Sequence, residues 1–327
     1  MKSVYFAVSI LCAALVSPAL ASSAALAPVP TAVQAQVDPD AVAVEEIVVS
    51  ARRAGLPMWT VRRGDEGVLI LAGIIREAPR DFRWREDALG QAVQRVDRVL
   101  MPQNMKASPA DVLRMLWRAR TIVMLPDNGT LEQVLSAEDY ARLLPLMAGE
   151  KDESWKTVRP LMVAMDLVQD QAGERRSRDP NVERAARRMA RRANVPVLRV
   201  GLVRGEELVE TLISSPPATQ VDCLRAAMAA AEYGTTAMQD RAQAWGQLDV
   251  KAVLASPFDA VMDECWPWGD PSVRGRMRQE WVSAISTAVA DQGVTLAIAP
   301  VRTLGETGGV LDQLVAAGFE IDGPEWK

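Results

Sequence analysis

The chain has 327 residues, with 37 Lys and Arg against 42 Asp and Glu, a formal net charge of −5, and no histidine. Without an imidazole, Ser-His-Asp hydrolysis, histidine general-base catalysis and histidine-ligated zinc or iron are all excluded. The negative balance argues against nucleic acid as a partner, and the length suits one large globular domain or two small ones.

Residues 1–21 read as a secretory signal. Lys2 supplies the positive start, Val4 to Val16 form an apolar run interrupted by Ser9, and Ala19-Leu20-Ala21 offers small residues for cleavage after Ala21. The alternative, a membrane anchor, needs a longer run than one that meets Ser17-Pro18 so soon. The expected location is periplasmic or secreted, with no integral membrane segment after cleavage. Residues 22–54, with Pro28 and Pro30, read as a flexible leader carrying a β-prone segment, Glu45 to Val49. Cleavage would remove Cys12 and leave Cys223 and Cys265. Export favours a disulfide between them, worth roughly 4 kcal/mol by loop-closure entropy; two free buried thiols are the alternative.

Met58 to Arg63, a turn at Gly64 to Gly67, and the almost continuously apolar Val68 to Ile75 predict a β-hairpin whose second strand is buried. Asp87 to Asp97 reads as a helix, Arg98 to Met101 as a strand stopped by Pro102, and Ser108 as the cap of a helix with Pro109 at its first position. From Leu131 the spacing turns helical over 136–148, 153–171, 180–193, 205–214, 219–246 and 271–291. Val195 to Val203 and Val294 to Val301 read as strands, Gly305 to Ala317 as a helix, and Phe319 to Ile321 as a last strand. The fold class is α/β, a mixed central sheet with a large helical insertion or cover at about 131–291, within one domain over 55–327.

Four stretches in this order resemble the TraB/GumN (TraB–PrgY–GumN) family, itself distantly similar to Tiki-type metalloproteases. Pro57-Met58-Trp59 with Val68 to Ile75 is similar to the family's opening "P-x-W … Y-L-x-G-T-I-H", and Pro196 to Leu208 to "P-V-x-G-L-E-x-x-E-E-Q". Cys223, Ala244-Trp245, Asp249-Val250 and Cys265-Trp266 follow the family's "C … A-W … G-D-L … C-W", and Arg276 to Leu314 its closing block. The resemblance spans about residues 55–325. It implies an α/β domain in which two histidines and acidic residues bind a divalent metal for hydrolysis.

This chain departs from the pattern at those positions. Arg76 and Arg302 stand where the histidines belong, and Pro102 and Val203 where glutamates belong. A guanidinium does not release its proton, so two of them turn a cation site into an anion site. Each would repel a divalent ion by roughly 4 kcal/mol per unit charge pair at ~4 Å and an effective dielectric of ~20. The expectation is therefore a pseudoenzyme, an exported binding or accessory protein with no metal and no cofactor. Arg76 and Arg302 either bind a small anionic ligand or merely pair with carboxylates such as Glu77 or Glu306. A hydrolase acting through carboxylates alone is the alternative.

Other signals are weaker. Glu45 to Arg53 resembles the TonB-box stretch of outer-membrane receptors and could join a partner's sheet in the envelope; an ordinary edge strand is the plainer reading. Arg175, Arg176, Arg178, Arg184, Arg187, Arg188, Arg191 and Arg192 form a basic cluster, read as a solvated helix face balanced by Glu174 and Glu183. Trp266 and Trp268 are expected to pack beside Cys265, and Asn128-Gly129-Thr130 to form a turn. Glu206-Glu207 and Asp263-Glu264 are sequence neighbours, which point apart on a helix and make poor acid/base pairs.

Overall fold

The computed structural model describes residues 55–106, 108–170, 177–265, 267 and 269–327. The expected signal, the leader with its TonB-box-like stretch, Arg175 and Arg176, and Trp266 and Trp268 lie outside them. Strands β1 (Met58–Arg62) and β2 (Val68–Ile74) form the opening hairpin, turning at Gly64 with φ of +56°. The two-residue β3 (Ala78–Pro79), α1 (Asp87–Gln94), β4 (Arg98–Met101) and β5 (Asn104–Lys106) follow. A helical stretch then runs through α2 (Pro109–Trp117), α3 (Ala119–Val123), α4 (Leu131–Val134), α5 (Ala137–Leu146) and α6 (Pro160–Asp170). The chain returns to the sheet through β6 (Ser177–Arg178), α7 (Val182–Ala193), β7 (Val197–Arg199) and β8 (Leu202–Arg204). Helices α8 (Gly205–Ser214), α9 (Val221–Tyr233), α10 (Thr236–Gly246), α11 (Val250–Ala255), α12 (Pro257–Glu264) and α13 (Pro271–Ala290) come next. The last elements are β9 (Val294–Pro300), α14 (Val301–Gly305), α15 (Val310–Ala316) and β10 (Glu320–Asp322).

The main sheet has strand order β10-β1-β2-β9-β4-β7, with β2, β9, β4 and β7 parallel and β1 antiparallel to both its neighbours. The crossovers from β2 to β4 and on to β7 carry α1 and α7, which pack together. The return from β7 to β9 brings α13 against β2 and β9 and against α15. Helices on both faces explain why β2 and β9 are buried almost end to end and read as unbroken apolar runs. The chains leaving β2 and β9, adjacent strands, depart in opposite directions, which opens a crevice at their carboxyl ends. A second apolar core lies among the helices, built from residues such as Leu143, Leu167, Leu224, Met228 and Phe258.

The mixed sheet with a helical cover is the architecture the sequence predicts, and several boundaries move. Helix 219–246 is two helices, split where Gly234 takes φ of +84°. The stretch 195–203 is also two strands, β7 on β4 and β8 on β5. Between them a side chain at Gly201 would meet the Glu280 carboxylate at 2.1 Å. Residues 305–317 hold α14 and α15, separated by Gly308 at φ of +67°. The helix expected after Ser108 is present, starting at Pro109 with a Ser108–Asp111 capping box, and α3 follows it directly.

Candidate functional site

The crevice at the ends of β2 and β9 is a cleft of about 130 Å³ lined by residues 74–77 after β2, 300–303 and Glu306 after β9, and charged faces of α10, α12 and α13. Its floor is fixed by aromatic packing. Trp59 on β1 stacks on Gly73, where a Cβ would lie 2.8 Å from the ring, and Trp245 Nε1 donates to the Gly73 carbonyl at 2.9 Å. One turn before Trp245 on α10, Arg241 faces the same way.

Arg241 and Asp259 form a buried ion pair, 4% and 2% exposed, with Arg241 Nε donating to Asp259 Oδ1 at 2.8 Å. Arg241 Nη1 also donates to the Glu77 carbonyl at 3.0 Å and lies over the Phe258 ring. The other oxygen of Asp259 accepts from Arg302 Nε, while Arg302 Nη2 donates to the Leu254 carbonyl at 2.6 Å and Nη1 approaches Asp263 at 3.7 Å. Asp259 is thus clamped between two guanidiniums. One turn along α12, Asp263 accepts from Arg274 Nη1 at 3.2 Å. One turn further on α13, Arg278 Nε donates to Glu306 at 2.6 Å. Burial and the adjacent Asp263 carboxyl push the Glu306 pKa up to about 7, with Arg278 pulling the other way. The raised value keeps Glu306 partly protonated near neutral pH.

Arg76 and Arg302 line the same cleft, each two residues beyond the carboxyl end of one of the adjacent parallel strands β2 and β9. Their carboxylate partners differ from those the sequence proposes. Arg76 reaches Glu183 of α7 at 3.4 Å and is 39% exposed, Arg302 takes Asp259 and Asp263, and Glu306 is held by Arg278. Pro102 is buried directly after β4, and Val203 on β8 packs with Leu208, Val273 and Met277; neither lines the cleft.

Cys223 and Cys265 are disulfide-bonded, tying α9 to the end of the helix that carries Asp259 and Asp263. The basic face of α7 is paired in part, Arg187 with Glu183 and Arg188 with Glu86. Asn128-Gly129-Thr130 forms a turn that caps α4. Glu206 and Glu207 part as expected, toward Arg114 and Arg276.

The sequence reading missed Arg241, Asp259, Arg274 and Arg278, and passed over Asp263 because it compared Asp263 only with Glu264. The available signal was the four-residue spacing Asp259/Asp263, Arg274/Arg278 and Arg302/Glu306, which puts both members of each pair on one helix face.

A largely parallel sheet with its charged cleft at the strand carboxyl ends defines an α/β protein of the kind that takes ligands at that edge. The chain belongs to the TraB/PrgY/gumN family, whose model matches residues 57–322. No curated protein and no solved structure matches it at a significant level.

The divalent metal implied by the family resemblance does not fit these residues. Both histidine positions carry guanidiniums, both glutamate positions lie off the cleft, and both oxygens of Asp259 are occupied by arginine. Among the described residues, no three Asp, Glu or Cys side chains are grouped as metal ligands.

Proposed function

We propose that this protein is an exported binding or accessory member of the TraB/PrgY/gumN family, without the family's metal chemistry, and that its cleft takes a carboxylate or phosphate group. The observation that carries this reading is the charge of the lining. Arg76, Arg241, Arg274, Arg278 and Arg302 face Glu77, Asp259, Asp263 and Glu306, an excess of one positive charge with Glu306 ionised and two with it protonated. The volume suits a small anionic group rather than a large ligand. Arg76 is the guanidinium most free to turn toward such a group, since its contact with Glu183 is long and half-exposed. Arg302 frames the site by holding Asp259.

Calorimetric titration with inorganic phosphate and with acetate tests the reading. Arg76→Ala should weaken binding roughly tenfold or more, the value of a charge-assisted hydrogen bond. Equal binding by wild type and variant would overturn it.

The adjacency of Asp263 and Glu306 favours a second reading, a hydrolase that uses a carboxyl pair. The two part on metal: a carboxylate-dependent hydrolase should bind Mn²⁺ with loss of binding in Glu306→Gln, whereas the anion-binding reading expects Mn²⁺ to leave the protein unchanged.

A further inference from the structure

The charges of the cleft are set among hydrocarbon. Ile74 and Pro300 are register partners on the adjacent strands β2 and β9, and both line the cleft, as do Ile75 and Val301 just beyond them. The strand ends that present Arg76 and Arg302 therefore begin with an apolar floor. The helices add two methionines to the wall: Met262 between Asp259 and Asp263 on α12, and Met277 between Arg274 and Arg278 on α13. Methionine, unbranched and polarisable, adapts its surface to apolar groups of different shape.

The hydrogen-bond donors are unequally free. Arg241 is committed to Asp259 and the Glu77 carbonyl, and Arg302 to Asp259 and the Leu254 carbonyl. Arg274 is held by Asp263 and Arg278 by Glu306. Arg76 makes one long contact, with Glu183 at 3.4 Å. A single planar fork matches the two oxygens of a carboxylate. A tetrahedral phosphate has further oxygens, which here would turn toward hydrocarbon or toward Asp263 and Glu306 and lose water without replacement.

We infer, resting on the anion-binding reading of this cleft, that its ligand is a short-chain monocarboxylic acid, the carboxylate on Arg76 and the alkyl chain against Ile74, Pro300, Met262 and Met277. A cleft of about 130 Å³ holds a chain of a few carbons and is too small for a long acyl chain.

Calorimetric titration of the full chain at pH 6 with acetate, butyrate and inorganic phosphate, all mainly monoanions there, tests this. Butyrate should bind about tenfold tighter than acetate, the gain from two methylenes leaving water, and tighter than phosphate by about the same factor. Met262→Ser should bring the butyrate-to-acetate ratio below about threefold, whereas Met262→Leu, which keeps the hydrocarbon surface, should retain it. Arg76→Ala should weaken both acids alike. Equal affinity for the two acids, or phosphate bound most tightly, overturns the inference and leaves the anion-binding reading standing. A ratio untouched by Met262→Ser also overturns it. Binding of none of the three probes overturns both.

Discussion

Glu306→Gln isolates a titration that the cleft builds into the fold. Burial beside β9 and the neighbouring Asp263 raise the Glu306 pKa from 4.5 to about 7, while Arg278 opposes the rise. A carboxyl whose folded pKa lies above its unfolded value contributes its full stability below the unfolded value, near pH ~4.3, and loses it as the pH rises through about 7. A shift of this size corresponds to roughly 3 kcal/mol, and solvent reaching part of the cleft trims it to roughly 2–3 kcal/mol. Glutamine keeps the shape of the protonated acid. It donates to Asp263 and accepts from Arg278, but it does not ionise. At pH 5 the variant should exceed wild type in stability by no more than about 1 kcal/mol. By pH 8 it should be the more stable protein by roughly 2–3 kcal/mol, or about 4–12 °C in Tm for a chain near this size. Thermal unfolding of both proteins at pH 5, 6, 7 and 8 gives the difference directly. A gap between them that does not widen with pH would refute a raised pKa at Glu306. Acetate affinity of the wild type should also fall between pH 6 and 8, as ionisation of Glu306 lowers the net charge of the cleft by one.

The buried bridge makes a second test. Asp259→Asn leaves Arg241 and Arg302 without their common counter-ion, which should cost about 3–5 kcal/mol and lower Tm by roughly 6–20 °C; a drop under ~2 °C would show that the bridge is not holding the cleft. Replacing Cys223 and Cys265 together by serine should cost about 4 kcal/mol by loop closure over the 42-residue separation, measured by urea unfolding. Dithiothreitol should destabilise the wild type by a similar amount and leave the double variant unaffected.

What the sequence discloses and what it hides follow from the range of the interactions. The hairpin, β4 and β9 are legible because strands buried on both faces need continuous apolar runs, and VLILAGI and VTLAIAP are such runs. Strands β3 and β6 are invisible beforehand. Two residues carry no periodicity, and their pairing joins Ala78 to Arg178 across a hundred positions. The breaks at Gly234 and Gly308 fall where a left-handed backbone is adopted, and each glycine was also compatible with a continuing helix. The cleft shows the same division. Arg76 and Arg302 are found because a resemblance marks two histidine positions at the ends of strands. The charges that answer them sit on three other helices. Helices α12 and α13 each display a four-residue spacing, α10 contributes Arg241 alone, and nothing local states that the faces converge.

That convergence also determines what chemistry is left to the site. A guanidinium set into the wall behind β9 needs a fixed counter-charge, and Asp259 supplies it to Arg302 and Arg241 at once. A carboxylate with both oxygens committed in this way has none left free to ligate a metal ion. Arg302 takes up the Asp259 oxygen that Arg241 leaves open. The group that titrates near neutral pH is Glu306, beside Asp263 and four residues beyond Arg302. If the cleft responds to pH, or acts on what it binds, the change begins at that carboxyl pair and reaches Arg76 as a change in field rather than through contact.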